Sequence, residues 1–150
     1  MIDSMSTADV ANAEHFERLE AAADARTAAQ IRDEFAAWLR TFFTLDPTRT
    51  SDLVLAINEA LANCAEFAYV GAPRAGTMDL QAWFEPAEST IVVVIADRGC
   101  WRNPESPRAL SRGRGIPLME ALADRSSIEA SEAGTQVRLE WTNVGRAEAR

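Results

Sequence analysis

Apolar and polar positions alternate along the chain with a period that changes from segment to segment. Between Asp24 and Phe43, apolar residues recur at Ile31, Phe35, Trp38, Leu39 and Phe42. This spacing predicts an amphipathic helix whose aromatic side belongs to a core. Asp46-Pro47-Thr48 interrupts it, because the residue before a proline is pushed out of the α region. From Leu53 to Tyr69 the helical period returns, with Leu53, Ile57, Leu61, Cys64 and Ala68 on one stripe and Ser51 or Asp52 as N-cap. Beyond the loop Gly71 to Gly76 the period becomes two. Met78, Leu80, Ala82 and Phe84 alternate with Asp79, Gln81 and Trp83, as in a half-buried strand.

Glu85-Pro86-Ala87-Glu88 then makes a hairpin connection to Thr90–Ala96, whose near-continuous apolar character predicts a central strand. A helix is expected from the glycines near 115, through Pro117, to about Ala123. Ser126–Ala130 follows as a strand, then a turn at 131–134 and a final alternating strand from Thr135 to Trp141. His15–Ala21 is read as a short edge strand. Residues 1–13 are expected to be a flexible tail, 14–142 a single domain, and 143–150 a frayed tail. Strands linked by a hairpin, with helices before and between, predict an α+β fold: a mostly antiparallel sheet with helices packed on one face.

Composition narrows the function. Hydrophobic residues make up 47% of 150 residues, enough for one substantial core. No apolar run approaches the ~20 residues of a membrane span. The N-terminus has neither a basic start nor an apolar h-region, so a cytoplasmic protein is expected. The two cysteines, Cys64 and Cys100, make no disulfide framework; Cys64 fits the buried stripe as a small hydrophobe. A formal net charge of −8 argues against a general nucleic-acid binder. All 15 basic residues are arginines, so P-loop and Schiff-base chemistry, which require lysine, are excluded. Arg98, Arg102, Arg108, Arg112 and Arg114 crowd one stretch. They suit an anionic small ligand or an acidic partner, or else form an ordinary exposed loop.

Four places carry candidate chemistry. Glu59 and Asn63 lie four apart, one turn above each other and away from the apolar stripe. A carboxylate there offers a proton acceptor beside a neutral oxygen ligand for a hard cation, or both residues line a solvated face. Asp97 ends the most apolar strand, where an ionised group must be paired or must serve a ligand, and Gly99 lets the backbone turn closely past a bound group. Gly113-Arg114-Gly115 precedes a helix whose free amides and positive dipole end suit a phosphate. Gly134-Thr135 enters the last strand.

In this order, Glu59-x-x-x-Asn63, Asp97-x-Gly99, Gly113-x-Gly115 and Gly134-Thr135 resemble the N, G1, G2 and G3 boxes of the GHKL ATPase superfamily, whose nucleotide-binding domain has the Bergerat fold. The phrases NEALANCAEFAY, ADRGCW, GRGIPLMEALAD and GTQVRLEW are most similar to RsbW-type anti-sigma factor serine/threonine kinases. The resemblance implies that Asn63 binds Mg²⁺ bridging the phosphates of ATP. It implies that Glu59 orients or deprotonates the attacking hydroxyl of a protein substrate. Asp97 would accept a hydrogen bond from the adenine amino group, supported by Thr135, and Gly99 would let the base approach. Gly113, Arg114 and Gly115 would close over the phosphates. Two positions depart from the pattern: Trp101 stands where the G1 box usually has a second glycine, and Phe67 where relatives often have histidine.

The implied function is an ATP-dependent serine/threonine-protein kinase that phosphorylates a STAS-type anti-sigma antagonist and sequesters a sigma factor. A homodimer is expected by resemblance, with no direct nucleic-acid contact. The alternative is a nucleotide-gated partner-binding module without kinase activity. A third reading is a GHKL ATPase fragment that hydrolyses ATP within a larger assembly.

Overall fold

The computed structural model describes residues 9–12, 14–66, 76–99, 115–131 and 133–147. Strand β1 (Asp9–Asn12) leads into β2 (His15–Ala22), followed by helix α1 (Ala25–Phe42), the two-residue β3 (Phe43–Thr44) and α2 (Pro47–Glu66). Strands β4 (Thr77–Glu85) and β5 (Thr90–Asp97) are joined by a 3₁₀ turn at Pro86–Glu88. Helix α3 (Gly115–Leu122), strands β6 (Arg125–Ser131) and β7 (Gly134–Trp141), and the short β8 (Gly145–Arg146) complete the order.

Six strands form one sheet in the order β1-β2-β4-β5-β7-β6, and each of these pairings is antiparallel. The side chains of β4, β5 and β7 alternate in register. Leu80, Ile95 and Val137 stand abreast on the covered face, as do Ala82, Val93 and Leu139, and all six are buried. Helices α1 and α2 pack over this face against β2, β4 and β5, and α3 packs on α2 and β6. This is the α+β layering that the alternation predicts. Among the described residues, no helix is long and apolar enough to cross a membrane.

The aromatic side of α1 enters the core as expected. Phe35 and Trp38 meet Phe16 at ring-centroid distances of 5.8 Å, and Trp38 meets Phe43 at 4.9 Å. Helix α1 is started by Asp24, whose carboxylate accepts from the Thr27 amide at 2.7 Å.

Several expectations are corrected. Helix α2 starts at Pro47, a full turn earlier than the apolar stripe suggests. Its cap is Asp46, whose carboxylate accepts from the Arg49 amide at 2.7 Å, while Ser51 and Asp52 lie inside the helix. Proline does not end a helix here because at the first position its missing N–H has no partner to lose. Within the tail expected over 1–13, Asp9–Asn12 pair with Arg18–His15 of β2, so β2 is not an edge strand. The Trp38 indole donates to the Asn12 carbonyl at 2.7 Å and holds that strand to α1. Within the tail expected over 143–150, Val144 is buried and β8 pairs with β3. Arg146 also lies 3.5 Å from the Glu14 carboxylate, next to the start of β2.

A second clasp joins the start of α2 to the sheet. The Arg49 guanidinium reaches Asp124 at 3.2 Å and the Thr142 carbonyl, and Asp124 also accepts from the Thr142 amide at 2.7 Å.

Candidate functional site

Strand β5 carries its apolar run to Asp97, which it delivers to the helix-covered face after Ile91, Val93 and Ile95. By register, Met78 of β4 lies on one side of Asp97 and Thr135 of β7 on the other. All three are buried, and Asp97 is only 4% exposed. A carboxylate so enclosed needs donors. One is the Gly99 amide, 3.0 Å from Oδ1, which turns the chain off the end of the strand. Another comes from α2: the Cys64 thiol donates to Oδ2 at 3.4 Å. Burial, and then the negative charge of Asp97, push the Cys64 thiol well above its ordinary pKa, so at neutral pH it remains an S–H donor.

Asn63, next to Cys64 on α2, is also buried, with 5% exposure. The expectation that Glu59 and Asn63 share a face away from the core is corrected for Asn63, whereas Glu59 is half-buried. The Asn63 Nδ2 atom has no hydrogen-bond partner among the described residues. A buried amide left in this state costs about 1–3 kcal/mol, so the position calls for a ligand. The two amide atoms exchange by rotation about the last side-chain torsion. Asn63 therefore fits either a donor to an anion or, through Oδ1, a ligand to a hard cation. Among the described residues, no group of three or more acidic, histidine or cysteine side chains forms a metal cage. A Mg²⁺ ion at Asn63 would thus need oxygens from its co-ligand, the usual arrangement for Mg²⁺ beside phosphates.

Gly134 opens β7 with φ of 139°, and a β-carbon there would meet the Asp97 carbonyl oxygen at 2.0 Å. Glycine thus lets β7 start flush against the end of β5, which sets Thr135 beside Asp97. A depression of about 440 Å³ borders Asp97, Gly134 and Thr135 and runs past Ala96, Gln136 and Glu129, positions that alternate with the core-facing ones. It therefore extends onto the outer side of the strand ends and is not lined by Glu59 or Asn63. This is within the usual size range of small-molecule sites.

The structure therefore gathers Asn63, Asp97, Gly99 and Thr135 at one end of the sheet, with Glu59 one turn back along α2. Gly115 is the first residue of α3, which packs on α2. Gly113, Arg114, Trp101 and Phe67 lie outside the described residues. Of the arginine patch, only Arg98 is described. Its guanidinium bonds Thr77 at 3.1 Å and Asp79 at 3.2 Å, two residues that alternate with the core-facing positions of β4. Arg98 is thus directed to the outer side of the sheet. Sequence reasoning missed Cys64 as part of the site. Its one signal was its position directly after Asn63 on the stripe that packs toward Asp97.

An antiparallel sheet with helices layered on one face is the architecture of the GHKL ATPase class. A family model of the histidine kinase-like ATPase domain matches residues 21–141, and the chain belongs to this family. Among solved structures, the fold is similar to the crystal structure of the RsbU and RsbW domains of Rv1364c from Mycobacterium tuberculosis. The TM-score is 0.67 at 22% identity, covering 91% of this chain and 34% of that one.

Proposed function

We propose that this protein is an RsbW-type anti-sigma factor with serine/threonine-protein kinase activity, acting in the cytoplasm as a homodimer. It binds ATP with Mg²⁺, phosphorylates a STAS-type antagonist and sequesters a sigma factor. The observation that carries the reading is a buried Asn63, whose Nδ2 has no partner among the described residues, together with a buried Asp97 at the same end of the fold. The family membership and the likeness to a chain with an RsbW domain support it.

In this reading Asp97 accepts from the adenine amino group, with Thr135 at its side and Gly99 clearing the approach. Asn63 holds the cation, while Gly113, Arg114 and Gly115 close over the phosphates. Bound Mg²⁺-ATP supplies the phosphoryl group and neutralises its charge. The substrate hydroxyl oxygen bonds to the γ-phosphorus, the bond from that phosphorus to the leaving oxygen breaks, and ADP departs with the electron pair. Glu59 receives the hydroxyl proton. Such transfer depends mostly on positioning and charge neutralisation, which a metal, amides and arginine provide without lysine.

The test is phosphate transfer from Mg-ATP to the cognate antagonist. Transfer by the native protein and its loss in Glu59→Ala support the kinase. No transfer, with Glu59→Ala behaving identically, refutes it. The second reading, a nucleotide-gated binding module without chemistry, is favoured by Trp101 in the G1 box. It predicts stable partner binding that survives Glu59→Ala with no phosphorylated product.

A further inference from the structure

The Cys64 thiol is the one polar contact from α2 that reaches Asp97 among the hydrogen bonds described above, and the function just proposed assigns it nothing. A carboxylate on the last residue of a strand can rotate about its two side-chain torsions. An adenine ring needs it held with an acceptor oxygen in the plane of the exocyclic amino group. Here two donors grip different oxygens from different elements. The Gly99 amide takes Oδ1 from the loop after β5, and Cys64 takes Oδ2 from α2. Together they fix the carboxylate plane, and α2 must be docked on the sheet for the second grip to exist.

We infer that Cys64 is a positioning residue for base recognition: its thiol hydrogen bond sets the orientation in which the Asp97 carboxylate meets adenine. This deepens the ATP-binding reading and rests on it. A thiol suits the task because it packs like a small hydrophobe in the α2 stripe, at 3% exposure, while keeping one weak donor. Alanine would leave out the donor; serine would keep one.

The experiment is titration calorimetry with Mg²⁺ present. ATP is compared with purine riboside triphosphate, the same nucleotide without the amino group, on native protein, Cys64→Ala, Cys64→Ser and Asp97→Asn. Thermal melts establish that each variant is folded. Native protein should prefer ATP, and Asp97→Asn should erase the preference. Cys64→Ala should lose about 3–10-fold in ATP affinity, the scale of one net hydrogen bond. Its affinity for the analogue should stay nearly constant, so the ratio between the two falls. Cys64→Ser should keep the native ratio. If Cys64→Ala does not fold, Cys64→Val, which also lacks a donor, gives the same comparison. A donorless variant that keeps the native ratio while Asp97→Asn loses it overturns this inference alone and leaves Cys64 a core residue. Failure of the native protein to bind ATP overturns the proposed function, and this inference with it.

Discussion

Gly134 lies against the backbone of Asp97 so closely that a β-carbon on it would stand 2.0 Å from the Asp97 carbonyl oxygen and 2.8 Å from the Arg98 Cα. Both obstacles are backbone, so no side chain can swing aside to make room. The φ of 139° adds strain for any residue with a side chain. Gly134→Ala should therefore lower stability by about 2–4 kcal/mol, in the upper range for a single substitution. Urea denaturation measures it, and a variant within 0.5 kcal/mol of native, roughly the scatter of neutral surface changes, would contradict the geometry. Nucleotide affinity should fall as well, since Thr135 is placed by the same contact.

Asp97→Asn tests the base-binding end. It swaps one acceptor oxygen for an NH₂ group, which would face either the Gly99 amide or the Cys64 thiol as donor against donor. ATP affinity should drop by about 1–3 kcal/mol, the cost of unsatisfied buried polar groups. Calorimetry reads the loss directly.

Asn63→Ala separates fold from function. The unpartnered Nδ2 already burdens the ligand-free protein, so removing the amide should leave the melting temperature unchanged or raise it. The same variant should lose the stabilisation that Mg-ATP gives the native protein. A melt with and without Mg-ATP checks both halves. A strongly destabilised apo protein would show that the amide has partners of its own.

Glu59→Gln should act on chemistry alone. Phosphate transfer should fall by about 10²–10⁴-fold, the usual contribution of a general base. ATP affinity should remain near native in the same preparation. Equal losses in both would make Glu59 a binding residue instead.

Acid sensitivity should be traceable to Asp124. Burial alone would raise its pKa, but the hydrogen bonds from Thr142 and the charge of Arg49 outweigh burial and bring it below 3.8. A carboxyl depressed on folding stabilises the native state fully above its unfolded pKa. That stability is lost as pH falls through the folded value. Glu17 is lowered too, chiefly by the bond from Gln81, so the acid limb is shared. Denaturation midpoints at pH 5 and pH 3 should therefore differ more in native protein than in Asp124→Asn.

Much of this was legible in the chain because burial on one face leaves a strong periodic trace. The alternation in β4 and β7 and the apolar run of β5 predict a sheet with one covered face. The aromatic spacing of α1 predicts a core helix. Where the reading failed, a short-range rule was overridden by a contact the sequence does not display. Asp46-Pro47 does separate the two helices, but α2 starts at Pro47 itself and not after Ser51 or Asp52, because proline is neutral at the first helical position and harmful only further in. Asp9–Asn12 and Gly145–Arg146 have no period long enough to register. They are ordered by pairing with β2 and by contact across roughly a hundred residues with β3. Cys64 looked like filler because its hydrogen bond to Asp97 spans 33 positions of sequence.

The Glu14–Arg146 ion pair has a bearing on how this domain can be combined with others. Val144 donates to the Ser89 carbonyl and Phe84 to that of Glu14, so positions 14 and 146 both sit at the hairpin end of β4 and β5. Asp97 lies at the other end of β5, about 20–25 Å away for an eight-residue strand. A segment attached after β8 would leave from this pole, away from Asp97, whereas β1 runs back along β2 and brings Asp9 level with Arg18, Leu80 and Ile95, nearer the Asp97 end. A module can thus be spliced on after β8 without crowding the end of the sheet that carries Asp97.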